Sequence, residues 1–401
     1  MLKVIELFGG IGACTEALKR IGIDFKVVDY VEIDKYAVAS YNAINGTNFK
    51  CQDICSWNKY IEADLIMHGS PCQDFSIAGK QAGGDEDSGT RSSLMYETIR
   101  IVNKIKPKYV IWENVKNLLS KKHKHNFDKY IEILNEEGYN SYYQVLNAKD
   151  YGIPQNRERV FTISIRKDID IGFKFPEKQE LELKLKDMLE EEVDEKYYLS
   201  DKMINYVLAV DDNLNDTKFS NRVDDCKFNK TPSYAITVRG AGGNQRGSLS
   251  NFIYKDGSEE IKVRNLKEQL CDYLVQNNLV KENKDRIYDS NGIATTVATS
   301  DFYNPSYAVK ENIEQLEHEE MLEDDIETLE NEISYRNGTK DSNLRIRKLT
   351  PKECWRLMGF KDEEFEKAEK VNSNAQLYKQ AGNSIVVDVL EKIFRNLLKG
   401  E

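Results

Sequence analysis

The sequence is short of the features that staple or anchor a fold from outside its core. Seven cysteines in 401 residues are an odd number and form no CxxC pair, which argues against a disulfide framework and against a thiolate metal site. Cys51 and Cys55 read as buried thiols packed like small apolar side chains. Four scattered histidines supply no metal-ligand constellation. No run approaches the roughly 18 consecutive apolar residues of a membrane-spanning helix. The opening MLKVIELF has neither a basic start nor a small-residue cleavage site. A soluble, cytoplasmic chain with no metal and no membrane partner is expected.

Positive charge is also scarce, with a formal net charge of −11. The deficit has one local source. Residues 311–332, ENIEQLEHEEMLEDDIETLENE, hold eleven acidic residues and no Lys or Arg, so the rest of the chain is balanced and a polyanionic partner is not excluded. Ile313, Leu316, Met321, Ile326 and Leu329 recur there at helical spacing, which predicts a solvated helical insertion.

At 40% hydrophobic, the chain can bury a large core and is long enough for two domains. Up to residue 166, strand-like runs (KVIELF, KVVDYVEI, FKCQD, DLIMHG, KYVIWENV, YYQVLNA, RVFTISI) alternate with helical patterns (ACTEALKRIG, KYAVASYNAI, SSLMYETIRIVNKI, NFDKYIEILNEEG). That alternation predicts an α/β fold, a doubly wound and mostly parallel sheet of Rossmann-like type. Beyond Lys167 the regularity fades. LELKLKDMLEEEVDEKYYLSDKMINYVL predicts a charged helix, and VRGAGGNQRG a Gly- and Asn-rich loop. Thr350 with Glu353 three residues on predicts a capping box in RKLTPKECWRLMGF. The closing SIVVDVLEKIFRNLL is amphipathic and should pack back beside the first strand. The chain thus divides into a regular domain over 1–175, completed by 372–401, and a smaller irregular domain over 176–371 carrying the acidic insertion.

In an open parallel sheet, ligands collect outside the carboxyl ends of the strands. In ELFGGIGACTEAL, Gly9, Gly10 and Gly12 let the backbone turn tightly against a ligand. A dinucleotide fingerprint requires glycine at position 15, where Thr15 stands, so a pyrophosphate is disfavoured. Glu32 ends the second strand 20 residues beyond Gly12, where a carboxylate accepts from a ribose diol. Asp53, ending FKCQD, suits an adenine amino group, with Phe8 and Ile54 on the two faces of the ring. These residues fit an adenosine ligand without a phosphate chain; the Gly-rich turn alone is equally an ordinary strand-to-helix turn. Cys72 in HGSPCQDFS follows the fourth strand and Glu113 of WENV the fifth, so the two should face one crevice. Taken singly, Cys72 reads as a small buried apolar residue and Glu113 as a solvated one. Arg157 and Arg159 of PQNRERV enter the seventh strand at alternate positions, hence on one face.

LFGGIG, Glu32, QDI, GSPCQDFSIAGKQ, ENV, PQNRERV, RKLTPKECWRLMGF and KQAGNSI, in that order, resemble the DNA (cytosine-5)-methyltransferases. The resemblance covers both ends of the chain and leaves the stretch between NRERV and RKLTP as the family's variable target recognition domain, where RIYDSNGIATTVAT looks like the opening of the recognition core. It implies transfer of a methyl group from S-adenosylmethionine to carbon 5 of a cytosine flipped out of double-stranded DNA. Cys72 is then the nucleophile at carbon 6. The resemblance assigns Glu113 to nitrogen 3 of the base and Arg159 to its exocyclic oxygen, and gives Arg157 the loop, the thiol surroundings or a phosphate to hold. It makes QDFSIAGKQAGGDEDSGTRSS the catalytic loop, with Ser76 and Lys80 on phosphates. Asn383 and Ser384 of AGNSI join Phe8, Gly10, Gly12, Glu32, Asp53 and Ile54 at the cofactor. Arg239, Asn244, Gln245 and Arg246 suit base edges, and equally suit a flexible polar loop. A monomer acting on DNA, with a cognate restriction endonuclease encoded nearby, is the expected setting.

Other classes fit less well. A silent DNA-binding relative would have lost Cys72 or Glu113. The branch of the family that methylates transfer RNA is short in the recognition region, where this chain is long. An amino-methylating DNA enzyme needs a (D/N/S)PP(Y/W/F) turn, and none occurs. Thr15 and the lack of a hydride-transfer constellation disfavour a dehydrogenase.

Overall fold

The computed structural model describes residues 1–71, 75, 85, 88, 90–198, the strand pieces 252–254, 287–289, 294–295 and 307–311, and residues 344–400. Cys72, Ser76, Lys80, Arg239, Asn244, Gln245 and Arg246 lie outside the described residues. So does the expected helical insertion, apart from Glu311.

The strands β1 (Leu2–Leu7), β2 (Phe25–Val31), β3 (Leu65–His68), β4 (Tyr109–Val115), β5 (Tyr139–Asn147) and β7 (Glu158–Arg166) form one sheet in the order β2-β1-β3-β4-β7-β5; β6 (Gln155–Asn156) lies outside it. Pairs among β1–β4 are parallel, whereas β7 runs antiparallel to both neighbours. The mostly parallel Rossmann-like sheet is therefore present, with one reversed strand. Between the strands lie α1 (Ala13–Ile21), α2 (Lys35–Asn45), α3 (Met95–Ile105) and α4 (Lys124–Glu136).

Strand alternation sorts the apolar residues into two cores. Val4, Leu65, Met67 and Ile111 join Ala17 and Leu18 of α1 on one face. Ile5, Ile66, Val110 and Trp112 join Ile99 and Val102 of α3 and Phe127 and Tyr130 of α4 on the other. Successive strand side chains point to opposite faces, so a sheet covered on both sides needs apolar residues at nearly every position.

The chain's last segment returns to this sheet through α5 (Pro351–Arg356), α6 (Asp362–Glu369), α7 (Asn374–Asn383) and α8 (Val387–Phe394). Val387, Leu390, Ile393 and Phe394 of α8 share the core of Val4 and Leu18, as do Leu349, Trp355, Leu357, Phe365 and Ala368. The expected capping box is present: Thr350 Oγ1 accepts from Glu353 N at 3.2 Å, and Glu353 Oε2 accepts from Thr350 N at 2.7 Å. Arg347 donates twice more to the same carboxylate, at 2.9 and 2.7 Å.

Three expectations are corrected. FKCQD is not a strand; Gln52 Nε2 instead donates to Asp29 Oδ1 (2.8 Å) and to the Tyr30 carbonyl (2.6 Å), tying an irregular segment to the edge of β2. Over residues 181–198 the charged helix is absent, with only single 3-10 turns at Leu185–Met188 and Glu195–Tyr197; its remainder lies outside the described residues. Cys51 and Cys55 are exposed rather than buried.

Candidate active site

The Gly-rich turn after β1 is moulded to two stacked tyrosines, Tyr30 and Tyr41, whose ring centroids are 4.0 Å apart. A Cβ at Gly9 would stand 2.6 Å from the Tyr30 ring, and one at Gly12, where φ is +90°, 2.8 Å from the Tyr41 ring. No larger residue fits either position without displacing an aromatic ring. Phe8 has φ of +53°, a left-handed conformation unusual for a residue with a side chain. The Tyr30 hydroxyl donates to the Gly10 carbonyl at 2.6 Å.

Beneath this turn sits a carboxyl group that the apolar pattern did not reveal. Glu6, the penultimate residue of β1, is 2% exposed. Thr15 Oγ1 donates to it, and the Tyr41 hydroxyl donates at 3.2 Å. Burial pushes its pKa up to about 7, against those hydrogen bonds. Thr15, the departure from a dinucleotide fingerprint, is thus the partner of a buried acid.

Glu32 follows β2 at the same sheet edge. Its Oε2 accepts from Gly10 N at 3.1 Å and its Oε1 from Asp34 N at 2.8 Å, while burial raises its pKa above the ordinary carboxylate value. Gln52 N donates to the Glu32 carbonyl at 2.9 Å, which brings Asp53 beside it. Asp53 caps a 3-10 turn through a bond from Cys55 N at 3.0 Å, and Ile54 is 4% exposed, packed into the second core. The sequence reading missed Ile33. It is 69% exposed immediately after Glu32, and its signal was an apolar residue at a strand end pointing at no core.

The second cluster lies where β3, β4 and β7 meet the same edge. Glu113 lies within β4 rather than beyond it. Because β7 is reversed, its first residues reach the edge, and Val115 pairs with Arg159. Arg159 Nε lies 3.1 Å from Glu113 Oε1. Glu113 is 9% exposed; burial raises its pKa, opposed by the charges of Arg159 and Arg157. Arg157, just before β7, turns instead to the C-terminal segment, donating to the carbonyls of Gly382 (3.2 Å) and Ser384 (2.8 Å). Asn383, between them, is exposed, and Ser384 is buried.

Gly69 connects these groups to the turn that leads to Cys72. A Cβ there would meet Ile385 Cδ1 at 3.6 Å and Glu113 Oε2 at 3.8 Å. The next residue, Ser70, receives the indole N–H of Trp112 at 2.9 Å, and its carbonyl receives Asn114 Nδ2 at 3.2 Å. Sequence reasoning missed Ser70 and Trp112, because a serine before proline and an aromatic residue in a strand carry no functional signal.

One sheet edge thus gathers a Gly-rich turn, an acidic strand end and a buried acid paired with arginine. Residues 2–399 match the C-5 cytosine-specific DNA methylase family. An orphan methyltransferase of Bacillus phage SPR, M.SPRI, is 34% identical over 455 residues, covering 99% of this chain and 97% of its own. The type II methyltransferase M2.ScrFI of Lactococcus lactis subsp. cremoris is 31% identical over the full length of both chains. Among solved structures, the Dnmt2 methyltransferase of S. pombe superposes with a TM-score of 0.57 at 16% identity, covering 100% of this chain and 99% of its own. The DNMT2 of Spodoptera frugiperda gives 0.62 at 18%, covering 99% of each; at such identities the likeness is one of fold. The chain belongs to the C-5 cytosine-specific DNA methylase family and is an enzyme of that class, a DNA (cytosine-5)-methyltransferase.

Proposed function

We propose that the enzyme methylates carbon 5 of a cytosine flipped out of a specific duplex DNA sequence, using S-adenosylmethionine and a covalent adduct through Cys72. The observation that carries this is the pairing of buried Glu113 with the half-buried Arg159, the Glu113 carboxyl lying against Gly69 of the GSPC segment.

The residues around the Gly-rich turn fit the cofactor. Glu32 offers a buried acceptor for a ribose diol, while Phe8 and the exposed Ile33 supply apolar surface for adenine. Ile33 stands in place of the expected Ile54, whose side chain is buried in the second core. Asp53 offers an acceptor for its amino group, and Asn383 and Ser384 close the far side. When bound, S-adenosylmethionine supplies an electrophilic methyl group. Among the described residues no group of three or more His, Cys, Asp or Glu side chains could hold a metal ion.

Carbon 5 of cytosine is a poor nucleophile while its ring is aromatic. The thiolate of Cys72 forms a bond to carbon 6, which breaks that delocalisation and leaves carbon 5 enamine-like. Negative charge grows on the ring as the bond forms. Protonated Glu113, favoured by burial, donates to nitrogen 3, and Arg159 stabilises charge at the exocyclic oxygen. Carbon 5 takes the methyl group as the methyl–sulfonium bond breaks, leaving the demethylated thioether. The proton on carbon 5 is then lost to water or another base, the sulfur–carbon 6 bond breaks to regenerate the thiolate, and nitrogen 3 returns its proton to Glu113. Arg157 holds the Gly382–Ser384 turn in place rather than touching the base.

The recognition domain, expected over 176–371, stays part of this proposal without Leu349–Ala368, which share the sheet's core. Ser76 and Lys80 on phosphates, and Arg239 and Gln245 on base edges, belong to it too. The relatives' names place such enzymes in phage and in type II systems; a protective role, with or without a nuclease encoded nearby, follows by the same reasoning. No helix among the described residues is long and apolar enough to cross a membrane. Expression in an unmethylated host followed by base-resolution sequencing tests the function. Cytosines methylated at one short motif are expected; unmodified DNA, or methylation confined to RNA, would contradict it.

A further inference from the structure

Cys72 follows Ser70 with one proline between them, and Ser70 is held by β4 from two directions. Trp112 Nε1 donates to Ser70 Oγ at 2.9 Å, and Asn114 Nδ2 to its carbonyl at 3.2 Å. Trp112 is 1% and Ser70 3% exposed. The indole is itself fixed: its ring lies parallel to His68 (5.6 Å between centroids, 7° between planes) and packs on Tyr130 at 4.2 Å. The His68 ring in turn shares a hydrogen bond with the Tyr130 hydroxyl at 2.9 Å.

An indole N–H only donates, so inside an apolar stack it needs one acceptor and leaves a costly orphan without it. The sheet does not need this bond, since His68 already pairs with Trp112 in the β3–β4 ladder. Its effect falls on what comes next. Pro71 locks its own φ, so few soft dihedrals separate a pinned Ser70 from the Cα of residue 72. A fixed Ser70 therefore anchors the short, stiff segment that leads to residue 72.

We propose that Ser70 and Trp112 form a positioning pair for the nucleophile, setting the attack geometry of Cys72 on carbon 6. This rests on the proposed role of Cys72, and neither residue touches the base. Misplacing a reacting group by about 1 Å can cost up to a hundredfold in rate.

The test uses the full-length enzyme and a duplex carrying 5-fluorocytosine at the target, with adduct formation timed at saturating DNA and cofactor. Ser70→Ala and Trp112→Phe are each expected to slow adduct formation about tenfold. The double variant should be no slower than the worse single one, because both remove the same bond. Ser70→Thr should recover most of the rate. Cofactor affinity and KM for DNA should stay within about twofold, since only positioning is lost. Wild-type adduct rates in both single variants overturn the proposal, as do rates that fall in step with cofactor affinity and melting temperature. If the wild-type enzyme itself forms no adduct on DNA that it methylates, the role of Cys72 fails first, and that outcome is read from the wild type alone.

Discussion

Arg159 Nε lies 3.1 Å from Glu113 Oε1 across the β4–β7 ladder, in a position that burial makes unfavourable for a bare carboxylate. The pair has two functions that pull against each other. The arginine favours the ionised acid, while burial favours the protonated acid able to donate to a base. Burial is the larger influence, so Glu113 holds its proton above the ordinary carboxylate range.

Glu113→Gln should therefore reduce methyl transfer by about 10²- to 10⁴-fold, with cofactor affinity changed little. The direction with pH follows. The contribution of protonated Glu113 is fully present at low pH and is lost as pH rises through its raised pKa. That limb of the profile should vanish in Glu113→Gln, as single-turnover rates across pH would reveal. A variant that keeps the wild-type rate and profile would remove Glu113 from the reaction.

Glu6 makes a prediction about stability rather than rate. Its folded pKa of about 7 lies above the ordinary 4.5, so the folded state holds this proton more tightly than the unfolded chain does. The contribution is present below the unfolded value and is lost as pH rises through about 7, amounting to about 3 kcal/mol at most. Urea unfolding of wild type should show this fall, and Glu6→Gln should flatten it. Parallel curves for the two proteins would mean that Glu6 is not a buried acid.

Arg157 joins distant parts of the chain, its Nη2 donating to the carbonyls of Gly382 and Ser384. Arg157→Ala removes the donor from the buried Ser384 carbonyl and the part-buried Gly382 carbonyl, and a loss of about 2–4 kcal/mol is expected. Cofactor affinity should also weaken, because Asn383 and Ser384 lose their anchor. Denaturant titration and calorimetry check both. Unchanged stability would show that the C-terminal segment is held by α8 alone.

The alternation of apolar residues made most strands legible, since a sheet covered on both faces requires it at almost every position. It carried no information about direction, so the reversal of β7, which brings Arg159 to the edge of Glu113, could not be read. FKCQD failed because Gln52 spends its amide on Asp29 and Tyr30 instead of a ladder. The charged stretch after residue 181 failed because helical propensity without a continuous apolar face does not sustain a helix; only Leu185 and Met188 of its first turn are buried. At the site, the Gly-rich turn and Glu32 were legible as strand ends, whereas Glu113 lies inside its strand. Glu6 was not legible, because a carboxylate alternating with apolar residues reads as an outward-facing position.

The central claim is a bond between the Cys72 sulfur and carbon 6 of an everted cytosine. It is tested most directly by incubating the enzyme and S-adenosylmethionine with a methylatable duplex whose target cytosine carries fluorine at carbon 5, then mapping the trapped peptide by mass spectrometry. Fluorine cannot leave as the proton does, so the account predicts a stable adduct on Cys72 that is absent in Cys72→Ser. Methylation of the matching unfluorinated duplex with no trapped adduct, or an adduct on another residue, would contradict it.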